Sequence, residues 1–172
     1  MNKTLDDLRN RRSIRRYKPE QITREELDAV ISAGVCAPTG MNRQSPIIVA
    51  VQDKGTVKLL SKMNAAVMGA SSDPFYGAPT VLVVLADAHS KHAVPDGSLV
   101  MGNLMNAAKA IGLGSCWINR AKEVFDTDEG KALLKKWGIE GDYIGIGNCI
   151  LGYPDEEPEM KPRKENYVYY VL

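Results

Sequence analysis

Apolar positions recur at two different periods along the chain, and the period separates candidate helices from candidate strands. In "TREELDAVISAGV", which begins at Thr23, Leu27, Val30, Ile31, Gly34 and Val35 follow a Thr-x-x-Glu capping box at helical spacing, which predicts a helix that stops near residues 38–40. "PIIVAVQ" (46–52) and "PTVLVVLAD" (79–87) are β-branched runs with little alternation, the pattern of strands covered on both faces, and both are expected in the middle of a sheet. Residues 56–69 have helical character, and "ASSDPFYGAP" reads as a loop. Asp96 is a candidate cap for "GSLVMGNLMNAAKAIG", where Leu99, Val100, Met101, Leu104, Met105, Ala108 and Ile111 leave polar groups only at Asn103, Asn106 and Lys109. A helix apolar on most sides is a buried helix. "GSCWI" (114–118) reads as a short strand, residues 129–137 as a helix ended by Gly138, and "DYIGIGNCILGY" (142–153) as a glycine-rich last strand.

Helices and strands alternate throughout, which implies one sheet sandwiched between helices. Residues 1–153 are expected to form a single domain. The stretch 154–172 differs: it begins acidic and proline-rich, passes "KPRK" and ends in "YVYYV", a strong β sequence without a partner nearby in the chain. Such an arm is expected to lie against another subunit.

Composition adds mainly exclusions. The 172 residues, 44% hydrophobic and 25% charged, suit one domain with a sizeable core. With 22 basic against 21 acidic residues there is no overall field to hold a nucleic acid or an anionic membrane, so anion recognition has to be local. Three scattered cysteines, Cys36, Cys116 and Cys149, fit neither a disulfide framework nor a zinc site and suggest a reducing compartment. No run resembles a signal peptide or a membrane span, so a cytoplasmic location is expected.

Charge is concentrated at one place. "RNRRSIRRYK" (9–18) carries six cationic side chains in ten residues. Arg11, Arg12 and Ser13 offer two guanidinium forks and a hydroxyl, a donor set suited to a phosphate monoester, although a solvated basic face has the same composition. Arg15 and Arg16 follow on what an extended chain would make alternate faces. "GIGNCILG" opens no helix and no P-loop pattern occurs, so a Rossmann or P-loop nucleotide site is unsupported. His89 and His92 fall in a loop with no third ligand suggested, and no metal is assigned. Cys116 has no histidine placed to activate it and reads as a buried strand thiol. A phosphate cluster without obvious catalytic side chains suggests that a phosphorylated cofactor carries the chemistry.

Five segments in order, "RRSIRRY", "APTGMNRQSP", "FYGAP", "PDGSLVMGNLMNAA" into "GLGSCWI", and a late "KPR", together resemble the FMN-dependent nitroreductase family in its short form. The resemblance implies an α+β, three-layer α/β/α sandwich, with a mixed sheet, helices on both faces and a C-terminal arm that crosses to the partner of a homodimer. It implies that Arg11, Arg12 and Ser13, aided by Lys161 and Arg163, bind the phosphate and ribityl chain of FMN, and that Arg15 reaches the N1 and C2 carbonyl edge of the flavin. Pro38, Thr39, Gly40 and Asn42 match the loop that packs on the neighbouring subunit's flavin. Trp117, Ile118 and Asn119 match the segment whose backbone approaches flavin N5 and O4, and Asn64 matches a contact to the ring edge. The implied activity is ping-pong hydride transfer from NAD(P)H through FMN to an electron-poor small molecule such as a nitroaromatic or a quinone, with no catalytic side chain, no nucleic acid and no membrane involved. A flavin carrier or sensor without turnover is the alternative. The chain departs from the family pattern in having Thr39-Gly40 where two small residues such as Ser-Ser are usual, and Gln44-Ser45-Pro46 in place of Gln-Pro-Trp.

Overall fold

The computed structural model describes residues 2–172. Its elements run α1 (Lys3–Asn10), α2 (Arg24–Val35), β1 (Pro46–Val51), α3 (Lys54–Met68), β2 (Thr80–Asp87), α4 (Ala93–Ala110), β3 (Gly114–Ile118), α5 (Ala121–Asp126), α6 (Asp128–Lys136) and β4 (Tyr143–Gly152), with a 3-10 turn at Gly40–Asn42. The strands form one sheet in the order β1-β2-β4-β3.

β2 organises the interior. All eight of its residues except Asp87 are buried, and successive side chains enter opposite layers. Val81, Val83 and Leu85 join Leu60 and Met63 of α3, Val124 and Phe125 of α5, and Leu133 and Leu134 of α6. Leu82 and Val84 join Leu27 and Val30 of α2 and Val100, Met101, Leu104 and Ala108 of α4. This is the expected three-layer sandwich, and the apolar run in the sequence records that both faces of β2 are covered.

Four expectations need correction. The sheet is antiparallel between all its named strands, and its parallel contact is a single bridge from Ser13 to Ser115. β1 lies at the sheet edge, with only Val51 of its six residues buried, because its apolar run reflects a surface that the described residues leave partly open. Asp96 does not cap α4: the helix begins at Ala93 after His92, since Pro95 falls in the first turn, where a missing N–H removes no helical bond. α4 is also not enclosed all round, for Leu99 is 47% exposed and Val94 58%.

The glycines of β4 allow close approach. A Cβ on Gly145 would stand 2.2 Å from the backbone carbonyl carbon of Ala121, so glycine is what lets α5 start directly against the strand. The register shifts between Val84 and Leu85, which leaves Ile146 without a partner on β2. The capping box of α2 forms as expected, with Thr23 Oγ1 accepting from the Glu26 N–H and the Glu26 carboxylate accepting from the Thr23 N–H at 2.8 Å. The short helices α1 and α5 are not predicted by the pattern of apolar positions.

Residues 159–172 are exposed and contain no helix or strand, with Tyr169 81% and Tyr170 80% exposed. Among the described residues no helix is long and apolar enough to cross a membrane.

Candidate functional site

The arginine cluster starts on the last residues of α1 and continues as extended chain, and the change of backbone sets its geometry. α1 ends at Asn10, and the chain then runs straight, held to β3 by the Ile14 N–H donating to the Ser115 carbonyl at 3.0 Å. Ile14 is buried and fits against Gly114, where a Cβ would lie 3.0 Å away. On the other side, the Lys18 N–H donates to the Tyr153 carbonyl and the Asp155 N–H to the Arg16 carbonyl, both at 2.9 Å. One buried isoleucine and these ladder bonds therefore fix residues 13–18 between β3 and the end of β4.

Arg11 and Arg12 line a cavity of about 700 Å³ together with Ser115, Lys109 and the acidic segment 155–157. That volume is typical of a small-molecule site. Arg12 Nη1 donates to the carbonyls of Arg9 and Arg11, both at 2.7 Å, which folds its guanidinium back on α1. Arg11 Nη1 is buried without a hydrogen-bond partner. A buried cationic donor with nothing to donate to is costly, and the rest of Arg11 belongs to the cavity lining. Arg16 turns away, with Nε 2.6 Å from the Asp155 carbonyl and 3.3 Å from its carboxylate. The Arg15 side chain is exposed, while its backbone N–H donates to Glu156 Oε1 at 2.5 Å.

A second group of site residues meets at the far end of β3. Asn64 on α3 is fully buried and donates through Nδ2 to the Asn119 carbonyl at 2.7 Å, while its Oδ1 has no partner. Arg120, next in the chain, has φ +78°, an uncommon backbone for arginine, so the turn after Asn119 is held in shape by its surroundings. Ile118 is buried, and Trp117 lays its indole on Gly147, where a Cβ would lie 2.6 Å from Nε1. The indole N–H is buried and unpartnered.

The loop containing Pro38, Thr39, Gly40 and Asn42 lies at the other end of α4. The Gly40 N–H donates to Asp96 Oδ1 at 2.9 Å, and the His92 ring closes over Gly40, 2.6 Å from where a Cβ would be. Asp96 is only 3% exposed and its second oxygen has no partner. Asp96 and Lys109 stand 13 residues apart on α4, about 20 Å along the helix axis. The loop and the arginine cavity of one chain are therefore well separated. Lys161 and Arg163 are exposed on the tail and make no hydrogen bond or ion pair with the cluster.

Sequence reasoning did not single out Ser115, Lys109 or residues 155–157 as cavity-lining, because contact across the sheet brings them there. Asp96 carried a usable signal, a lone acid in an apolar helix, but it read as a cap. The thiols stay outside this chemistry: Cys116 is buried, and burial pushes Cys149 up to about 12. Burial likewise raises the phenol of Tyr17, whose OH donates to the Ile14 carbonyl at 2.7 Å. His89 Nε2 lies 3.4 Å from the Asp142 carboxylate at the surface.

Comparison with known proteins bears on this arrangement. Residues 8–72 and 61–153 match the Nitroreductase family. A candidate NADH dehydrogenase/NAD(P)H nitroreductase of Archaeoglobus fulgidus is 32% identical over 93% of this chain and 90% of its own. An NADPH-flavin oxidoreductase of Vibrio harveyi is 28% identical over 98% of this chain and 72% of its own. Among solved structures, a nitroreductase with bound FMN from Bacteroides fragilis superposes with a TM-score of 0.92 and 26% identity, all of each chain being covered.

Proposed function

The chain belongs to the nitroreductase family, and on that premise we propose that it is an FMN-dependent NAD(P)H oxidoreductase acting on electron-poor small molecules. The observation that carries the proposal is the buried, unpartnered Arg11 Nη1 in a cavity of about 700 Å³. A phosphate monoester is a group of the charge and acceptor number that this donor lacks. FMN, when bound, supplies the two-electron chemistry, accepting hydride from NAD(P)H and passing it to an acceptor such as a nitroaromatic or a quinone in alternate half-reactions.

The protein's own part is binding, orientation and electrostatics. Arg11, Arg12 and Ser13 hold the phosphate and ribityl chain, and Lys161 and Arg163 return from the tail to the same anion. Arg15 brings a cation to the ring edge where negative charge gathers on reduction. Asn64 acts at the ring edge through the neighbouring backbone, since its own side chain is fully buried. Trp117, Ile118 and Asn119 present backbone to the reacting edge, and the bond from Asn64 to the Asn119 carbonyl fixes that segment.

The active assembly is a homodimer. Support comes from apolar side chains with no cover in this chain, Val35, Val94 and Leu99 on α2 and α4 and Tyr167 to Leu172 on the tail. The separation of about 20 Å along α4 also suits a loop at Pro38, Thr39, Gly40 and Asn42 that serves the neighbour's flavin. Residues 1–153 are the domain and 154–172 the exchanged arm.

The test is an absorbance titration of the purified protein with FMN, followed by anaerobic addition of NADH or NADPH. Saturation at one flavin per subunit and rapid bleaching are expected. FMN that binds but stays oxidised would favour a carrier or sensor, and absence of binding would remove the proposal. Deleting residues 160–172 should lower the mass in sedimentation from dimer to monomer.

A further inference from the structure

The cavity that holds Arg11 is not a cationic one. Arg11, Arg12 and Lys109 line it, and so do Asp155, Glu156 and Glu157. Before the tail cations Lys161 and Arg163 return to it, the lining carries three positive and three negative side chains, an unusual setting for a group that carries nearly two negative charges. The three carboxylates are not equivalent. Asp155 is engaged by Arg16 at 3.3 Å, and Glu157 is exposed. Glu156 is half-buried and held in place by the backbone N–H of Arg15, which donates to its Oε1 at 2.5 Å. It is the carboxylate least free to swing out when an anion arrives.

We infer that Glu156 weakens the hold of this cavity on the phosphate end of FMN and so makes the flavin exchangeable. The inference rests on the FMN reading above. A negative charge held on the lining that Arg11 shares opposes a dianion by simple Coulomb repulsion, which salt screens in part. The phosphate therefore adds less affinity than its basic partners alone would give it, and FMN dissociates faster than a firmly held prosthetic group. Repulsion of this kind acts on the phosphate and leaves the ring contacts untouched.

The experiment compares FMN with riboflavin, which has the same ring and ribityl chain but no phosphate. Glu156→Gln keeps an oxygen to accept from the Arg15 N–H and removes the charge. Dissociation constants are read from flavin fluorescence at low and high salt for the wild type, Glu156→Gln and Glu157→Gln. Glu156→Gln is expected to tighten FMN by about tenfold at low salt, to slow its dissociation, and to leave riboflavin within about twofold. High salt should narrow the gap. Glu157→Gln, a charge change of the same size on an exposed side chain, should shift FMN by less than about threefold. Unchanged or weaker FMN binding by Glu156→Gln, an equal shift for riboflavin, or an equal effect at Glu157 would overturn the inference while the FMN reading stands. A wild-type protein that binds neither flavin would overturn both.

Discussion

Replacing Arg11 by methionine separates what a ligand gains from what the fold gains. The long apolar part of the side chain is kept, and the guanidinium with its buried, partnerless Nη1 is lost. In the ligand-free protein an unsatisfied buried donor costs about 1–3 kcal/mol, so its removal should not destabilise the fold. Carboxylates sharing the cavity lose a counter-charge and offset part of that gain. The expected ligand-free melting temperature is therefore unchanged or raised by a few degrees, given about 2–4 °C per kcal/mol for a chain of this size. FMN affinity should move the other way. A charge-assisted hydrogen bond to phosphate contributes about 1.5–3 kcal/mol, which is about a 10- to 150-fold loss. Thermal melts with and without FMN, paired with a fluorescence titration, read both quantities on one preparation. A ligand-free melting temperature lowered by more than about 5 °C with FMN affinity intact would show that Arg11 is a structural residue and refute the reasoning.

Other expectations concern the frame around the cavity. Gly145→Ala places a Cβ 2.2 Å from the backbone of Ala121, a contact that a flexible side chain cannot relieve, and should cost about 3 kcal/mol or more in urea denaturation. Asp96→Ala removes the acceptor for the Gly40 N–H and should raise amide exchange at Gly40 at least tenfold, by the ~1.4 kcal/mol that one such bond represents; an unchanged exchange rate would remove Asp96 as the loop's anchor. Glu26 is held below the usual carboxylate range by the Thr23 N–H and then by the Tyr153 OH. Its stabilising contribution is therefore complete above the unfolded value of about 4.3 and is lost as the pH falls through the lower folded value. Melting temperatures of the wild type should drop more steeply than those of Glu26→Gln between pH 5 and pH 3 (about the span of that titration), and parallel curves would refute the assignment.

Local signals in the sequence were legible where the cause was local. The capping box at Thr23 and Glu26, the two-sided burial of β2 and the stop at Gly138 are each written within a few residues. Other features depend on residues far away in the chain. β1 has the apolar composition of a central strand, and its place at the edge follows from β4 pairing on the other side of β2. Asp96 looked like a cap because helix-start signals are short-range, whereas its partner, Gly40, is 56 residues away. Of the site, Arg11 and Arg12 could be picked out by charge density and by resemblance. The acidic lining opposite them could not, since it reaches the cavity only through pairing of residues 16–18 with residues 153–155.

α4 has a further consequence for an assembly of the kind proposed. Its 18 residues make a rod of about 27 Å. Lys109 at one end borders its own chain's cavity, and Asp96 near the other grips the loop at Gly40. In such a pair one helix would border two flavin sites, one at each of its ends.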